Sequence, residues 1–424
     1  MSPKTGNPRK FWLFLFTLAL LLAACAPTPA EATPQASAMP IEAAEAASVE
    51  PVMVCTSISS QDREVAIVNS LFPAINADDW VRGAANPAVT IVEYSDFQCP
   101  YCAQLEPVLG QLMEKYPDQL QIVYRHFPLA GTPEEPIHEK AVISAAASEA
   151  AGNQDAFWDF HDYLFTNQAT WTELSEVDYL NYLADAAAEL GLDVAQFTAD
   201  LNSDELQNAA AAAWDDGLEL GMPGTPYLLI DGFDYTGPRD FASLDTIIQL
   251  ELLRERQFTE CPPYTLEEGV DYTATIHTEK GDIVLALLPE VAPMAVNSFV
   301  FLAEHDWFDN VTFHRVLPGF VAQAGDPTGT GFSGPGYAFA VETNENYVFD
   351  QAGLLAMANS GPTSNGSQFF ITLVPAEHLN GGYTIFGEVL QGQDVVESLT
   401  TRDPQNDPLA PAGDLILDVS IEVN

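Results

Sequence analysis

The chain has 424 residues, and 61 acidic against 14 basic side chains give it a formal net charge of −47. A surface so poor in Lys and Arg argues against nucleic acid as a partner, because phosphate contacts need basic clusters. The same excess repels anionic lipid, favours solubility and could draw in basic or unfolded chains, and the length is enough for two ordinary domains.

Taken from the N-terminus, Lys4, Arg9 and Lys10 precede the apolar run FWLFLFTLALLLAAC, which ends at Cys25. A basic head and a hydrophobic stretch shorter than the roughly 20 residues of a spanning helix predict a secretory signal over residues 1–25. Its ending, Leu22-Ala23-Ala24-Cys25, resembles a bacterial lipobox, which implies lipidation of Cys25 and an extracytoplasmic, membrane-anchored protein. Residues 26–55 are dominated by Ala, Pro and Glu, have little to bury, and read as a disordered tether.

The next region, 56–260, alternates strands and helices. AVTIVEYSDF (88–97) is a buried-strand run, YCAQLEPVLGQLMEKY follows as a helix, and LQIVYRHF (120–127) is a second strand. Ala-rich helical patterns occupy 136–151, 155–166, 176–190 and 204–219, PYLLIDG (226–232) is a third strand, and 240–257 is helical again. This predicts an α/β sheet with a helical insertion. A Pro- and Gly-containing join over 261–270 leads to a region of different character, 271–424. There TATIHTEKGDIVLALL (273–288) reads as a hairpin, Pro293 sits near the start of a helix over 292–308, and LILDVSIEV (415–423) is a last strand. Many short strands with Gly turns predict a closed β-barrel.

DFQCPYC (96–102) places Cys99 at a strand-to-helix junction, where amides and the helix dipole stabilise a thiolate, with Cys102 one turn on to resolve a mixed disulfide. Cys55 and Cys261 could complete a four-cysteine zinc set arithmetically, yet neither forms a second close pair, and a purely structural clasp is the other alternative. Thr225-Pro226, just before a strand, is a cis-proline candidate. VEYSDFQCPYC, YRHFPL, the helical insertion and GTPYLLIDG together resemble the DsbA-like thiol oxidoreductases over about residues 60–258. The resemblance implies a thioredoxin fold, a client-facing role for Thr225 and Pro226, and a redox-supporting buried acid at Glu93. Tyr101 stands where that family often has His, so the direction (oxidase, isomerase or reductase) stays open. In an exported chain the remaining pair, Cys55 and Cys261, bracket this region and suggest a stapling disulfide, with two free thiols, or Cys55 serving exchange with a partner, as the alternatives.

FHRVLPGFVAQAGD (313–326), GLLAMANSGPTSNGSQFFITL (353–373) and YTIFGEV (383–389) closely resemble the cyclophilins, the peptidyl-prolyl isomerases. The resemblance implies Arg315 as the catalytic arginine and a proline pocket of Phe320, Val321, Phe370 and Leu379. It assigns peptide contacts to Gln323, Ala358, Asn359 and Gln368, makes His314 structural support, and requires no cofactor or metal. Val321, His378 and Tyr383 replace a usual Met and a frequent Trp and His. The expectation is a tethered folding catalyst acting on exported proteins with X-Pro bonds and cysteines, served by an unidentified redox partner. A proline-peptide binding module with only the dithiol catalytic, or a dedicated thiol reductant, are the alternatives.

Overall fold

The computed structural model describes residues 54–58, 71–132, 134–404, 406–407 and 410–424. The expected signal, the expected lipidation site Cys25 and nearly all of the expected tether lie outside the described residues. The first described element is a short strand, β1 (Cys55–Ser57).

The first domain is built on a five-stranded sheet in the order β2-β4-β3-β5-β6. Its strands are β2 (Trp80–Gly83), β3 (Val89–Ser95), β4 (Leu120–His126), β5 (Tyr227–Ile230) and β6 (Phe233–Tyr235). Only β3 and β4 run parallel, joined by the crossover helix α1 (Pro100–Lys115). β3 is buried along nearly its whole length, Glu93 and Ser95 included, as a central strand covered on both faces requires. The insertion between β4 and β5 carries α2 (Ala141–Gly152), α3 (Phe157–Thr166), α4 (Gln168–Trp171), α5 (Glu176–Glu189), α6 (Val194–Leu201) and α7 (Asp204–Glu219). Its apolar faces meet around Phe157, Phe160, Trp171 and Phe197, all fully buried. Ser175, Asp193 and Ser203 cap α5, α6 and α7 by accepting backbone N–H bonds. α6 was not expected, since eight residues carry too little periodicity to register. α2 begins five residues later than its Ala-rich pattern suggests. The buried Asp96 carboxylate instead holds the preceding loop, accepting from Leu129 N at 3.0 Å and facing His138 Nδ1 at 2.6 Å. The domain closes with α8 (Phe241–Leu253) against α1 and the sheet.

The second domain is built on a nine-stranded sheet in the order β10-β11-β14-β13-β15-β8-β7-β16-β9. The hairpin β7 (Tyr272–Thr278) and β8 (Gly281–Leu287) alternates buried and half-buried residues, and Gly281 supplies the positive φ at its turn. Helix α9 (Pro293–Glu304) follows, with proline in its first turn and the Glu342 carboxylate accepting from Met294 N and Ala295 N at 3.0 and 2.9 Å. Then come β9 (Val311–Thr312), β10 (Arg315–Leu317), β11 (Val321–Ala324), β12 (Tyr337–Phe339), β13 (Leu354–Met357), β14 (Phe369–Thr372), β15 (Ile385–Gln391), the helix α10 (Gln393–Glu397) and β16 (Leu415–Val423). The sheet curls around Phe299, Phe308, Phe369 and Phe386. The expected closed barrel is met only in part. The end strands β9 and β10 are consecutive in the chain, separated by Phe313 and His314, and no ladder joins them. The result is a curled half-barrel.

Both segments flanking the first domain seat on the second. β1 pairs with β12, Cys55 opposite Phe339. After α8, Arg256 Nη2 donates to the carbonyls of Asp306 and Trp307 at 2.6 and 2.8 Å, Phe258 N donates to Pro335 O at 2.8 Å, and the Phe258 ring packs among Phe301, Trp307 and Tyr337. Cys55 and Cys261 are disulfide-bonded there, with Cα atoms 6.1 Å apart across a sequence separation of 206.

Candidate active sites

At the first site, Cys99 is the N-cap of α1 and Pro100 occupies the first turn, where its missing N–H does no harm. Both cysteines are free thiols and both are buried. Cys99 Sγ lies 3.4 Å from the carbonyl oxygen of Thr225, whose bond to Pro226 is cis. The Cys102 thiol and the amides of Tyr101 and Cys102 stabilise a thiolate on Cys99, bringing its pKa down to about 6. Cys102 moves the other way: burial, then its bond to Cys99 and the charge of Glu93, push its thiol well above the ordinary range. The two sulfurs are thereby differentiated into an attacking thiolate and a protonated partner.

Glu93 sits beneath the pair on β3, almost wholly buried, with its carboxyl held well above the usual range by burial and by the neighbouring Glu106. Behind it lies a charged group that no local motif signals, because its members are far apart in sequence. Burial opposes ionisation of Glu106, yet His161 and Arg82 keep its carboxyl below the usual range. Arg82 donates to Glu106 at 3.0 Å and to Asp162 at 2.9 Å, and Asp162 faces His161 Nδ1 at 2.7 Å. Glu106, His161 and Asp162 could gather around a cation, but the guanidinium already supplies that charge, so the trio is an ion-pair network. With Cys55 and Cys261 bonded to each other, the four-cysteine zinc alternative is gone. A groove of about 630 Å³ beside the dithiol is lined by Tyr101, Leu105, Val108, Thr225, Pro226 and Arg239.

The second site follows from sheet register. Arg315 lies opposite Gln323, and Gln323 opposite Phe370, so the three side chains stand in a row across β10, β11 and β14 on one face. Alternation along β14 sends Phe369 into the main core and Phe370 outward, where it joins Val321, Leu379, Phe320 and Ala358 in a separate apolar cluster. These residues, with Asn359, line a cavity of about 370 Å³. The Nε of Arg315 is buried and has no hydrogen-bond partner among the described residues. Gln323 donates to Gln368 Oε1 at 3.0 Å, and Gln368 donates to the carbonyls of Gly331 and Ser333 at 3.0 and 2.9 Å. Gln368 therefore orients Gln323 from behind and does not line the cavity. The Asn359 side chain donates to Gly382 O at 3.0 Å and accepts from Gly361 N at 3.2 Å.

The three departures sit in the wall. Val321 is buried in the floor, His378 stacks on Phe320 with centroids 5.5 Å apart, and Tyr383 meets Phe370 edge-on at 5.7 Å. His314 is buried, and burial brings its imidazole down to about 4, so it is neutral near pH 7. Sequence reasoning missed the loop over 326–333 and Pro404, which complete the cavity with Thr330, Gly331 and Phe332. The buried Asp326 carboxylate organises that loop, accepting from Thr328 N at 2.8 Å, from Gly331 N at 2.6 Å and from the Ser333 hydroxyl. The Asp-Pro-Thr-Gly-Thr-Gly run was the available turn signal.

Residues 273–421 match the family described as cyclophilin type peptidyl-prolyl cis-trans isomerase, and residues 76–250 match the family described as thioredoxin. The chain is 44% identical over 171 residues to peptidyl-prolyl cis-trans isomerase A of Mycobacterium tuberculosis, covering 36% of this chain and 94% of the relative. It is 46% identical over 121 residues to peptidyl-prolyl cis-trans isomerase B of Bacillus subtilis, covering 28% of this chain and 85% of the relative. Among solved structures, a cyclophilin type peptidyl-prolyl cis-trans isomerase of Cryptosporidium parvum is 34% identical, covering 36% of this chain and 99% of that chain with a TM-score of 0.33.

Proposed function

Through residues 273–421 the chain belongs to the cyclophilin-type peptidyl-prolyl cis-trans isomerases, and from that premise we propose that it is an extracytoplasmic folding catalyst whose thioredoxin-like domain adds DsbA-like thiol–disulfide exchange. Prolyl isomerisation and disulfide exchange are the slow covalent-scale steps in the folding of exported proteins, and this chain carries one domain suited to each.

An X-Pro bond resists rotation by ~18–20 kcal/mol because the amide nitrogen shares its lone pair with the carbonyl. As the bond twists, that nitrogen becomes pyramidal and basic. Arg315, with a buried and unpartnered Nε, donates to it, while Val321, Phe370 and Leu379 hold the proline ring and Gln323 and Asn359 hold the backbone. The guanidinium stabilises the twisted state more than either planar one, so no nucleophile or cofactor is needed. The unpartnered Arg315 beside Gln323 and Phe370 is the observation that carries the reading. Turnover of a proline-containing peptide that collapses in Arg315→Ala, with peptide binding retained, supports it. A folded parent without turnover reduces the second domain to a binder.

At the dithiol, the Cys99 thiolate attacks, or is displaced from, a client sulfur, and Cys102 resolves the intermediate, with Glu93 exchanging its proton. The favoured direction is read by equilibrating the pair against glutathione. Lipid anchoring at Cys25 is tested by labelling cells with a fatty acid: Cys25→Ala should lose the label.

A further inference from the structure

One cavity lies in each domain and a third lies between the domains. The lining of the groove beside the dithiol includes Arg239 and Asp240, the N-cap of α8. The very next residues, Phe241 and Ala242, line a middle cavity of about 410 Å³ between the two domains. That cavity shares Thr330, Phe332 and Pro404 with the Arg315 pocket, so the loop held by Asp326 is a wall of both. We propose that the three are one binding track for a single extended polypeptide, with its cysteine at Cys99 and a proline further along the same segment in the Arg315 pocket.

The ends define the occupant. One takes a cysteine covalently and the other takes a proline ring, and each is rimmed by an exposed ring, Tyr101 at 67% and Phe332 at 79% exposure. The middle is sequence-tolerant, because its charged side chains and Gln249 already have partners within the protein. Lys115 pairs with Asp245 at 2.6 Å, Gln249 donates to Asp245 at 2.7 Å, and Arg402 donates to Pro411 O at 2.8 Å. It makes no demand for a particular charge on the client. The alignment is held by the double attachment of the first domain, through β1 and through the segment Arg256 to Cys261. Capture is balanced as ordinary thiol–disulfide exchange. The Cys99 thiolate forms a bond to one sulfur of a client disulfide, the other sulfur leaves with the bonding pair and takes a proton from water, and later attack by Cys102 oxidises the enzyme pair and releases the reduced client.

This inference rests on the proposed dithiol chemistry, and the test separates the two. In a Cys102→Ala protein, which cannot resolve the intermediate, Cys99 is loaded with peptides that carry a thiopyridyl disulfide and an Ala-Pro bond at increasing Gly-Ser spacings. Loading is followed by thiopyridone release, and prolyl exchange in the trapped peptide by NMR. The expected result is at least a tenfold faster exchange than for the same peptide free at equal concentration, confined to a window of spacings and lost in Arg315→Ala. Ala242→Trp, which fills the middle cavity, should lower the ratio of trapped to free acceleration about fivefold. Exchange that ignores spacing, or gains nothing from trapping, overturns the track and leaves both active sites standing. Failure to release thiopyridone from folded protein overturns the dithiol reading and the track with it.

Discussion

Beneath the dithiol, Cys99, Cys102, Glu93, Glu106 and His161 all titrate away from their ordinary ranges, and burial drives or opposes each shift. Around the proline pocket the arrangement is the reverse: His314 is held neutral, the walls mix apolar side chains with the uncharged amides and hydroxyl of Gln323, Asn359 and Thr330, and a single guanidinium faces the cavity. The contrast matches the two proposed reactions. Disulfide exchange moves protons and must tune who holds them, whereas turning an amide moves none and needs only a fixed charge where the nitrogen will pyramidalise.

If that contrast holds, Arg315→Ala should give the largest effect, a loss of roughly 10²–10³ in isomerase kcat/KM, with alkylation of Cys99 unchanged. Loss of both activities would mean a folding defect and would break the comparison. The next largest concerns acid stability. The unfolded chain protonates its histidine near pH 6.5, which buried His314 refuses until about 4. Stability should therefore fall as pH drops through that interval and flatten below it, by on the order of 3 kcal/mol from this group. Denaturant titrations of parent and His314→Leu across the interval measure the difference in slope. At the other site, alkylation of Cys99 by iodoacetamide should rise about tenfold between roughly pH 5 and 7 and then level, because the thiolate forms near 6. A rise displaced to roughly pH 8.5, the ordinary thiol value, would remove the asymmetry between the sulfurs. Smallest of all, Val321→Met lengthens the side chain in the pocket floor and makes the pocket shallower without touching the guanidinium, and should change isomerase kcat/KM by no more than about threefold, mostly through KM.

What was legible in the sequence was whatever is local. The dithiol, Thr225-Pro226 and the strand carrying Glu93 are each contiguous runs, and Arg315, Phe320, Val321 and Gln323 fall within one motif. Illegible were the pieces assembled only by tertiary folding. Arg82, Glu106 and His161 come from β2, α1 and α3, and nothing in their spacing announces an encounter. Thr330 and Phe332 reach the pocket because Asp326 gathers the loop, a matter of hydrogen bonds rather than periodicity. β1 is three residues long and pairs with a strand nearly 300 residues away, beyond any local pattern. Gln368 was read as touching the peptide, whereas it acts one layer back, a distinction that requires its partners Gly331 and Ser333 to be in place.

The meeting of Cys55 with Cys261 has a consequence for how the chain can be taken apart. The thioredoxin-like domain leaves and re-enters the isomerase domain through a single doorway, and the two jambs stand 6.1 Å apart between Cα atoms. In that sense it is a cassette. Excising it and closing the gap with a short turn should leave the half-barrel, β1 included, with its backbone undisturbed. Reduction of the bond, by contrast, leaves the cassette covalently attached at both ends but unpins the doorway, so the reducing power of the surroundings sets how firmly one domain is braced against the other.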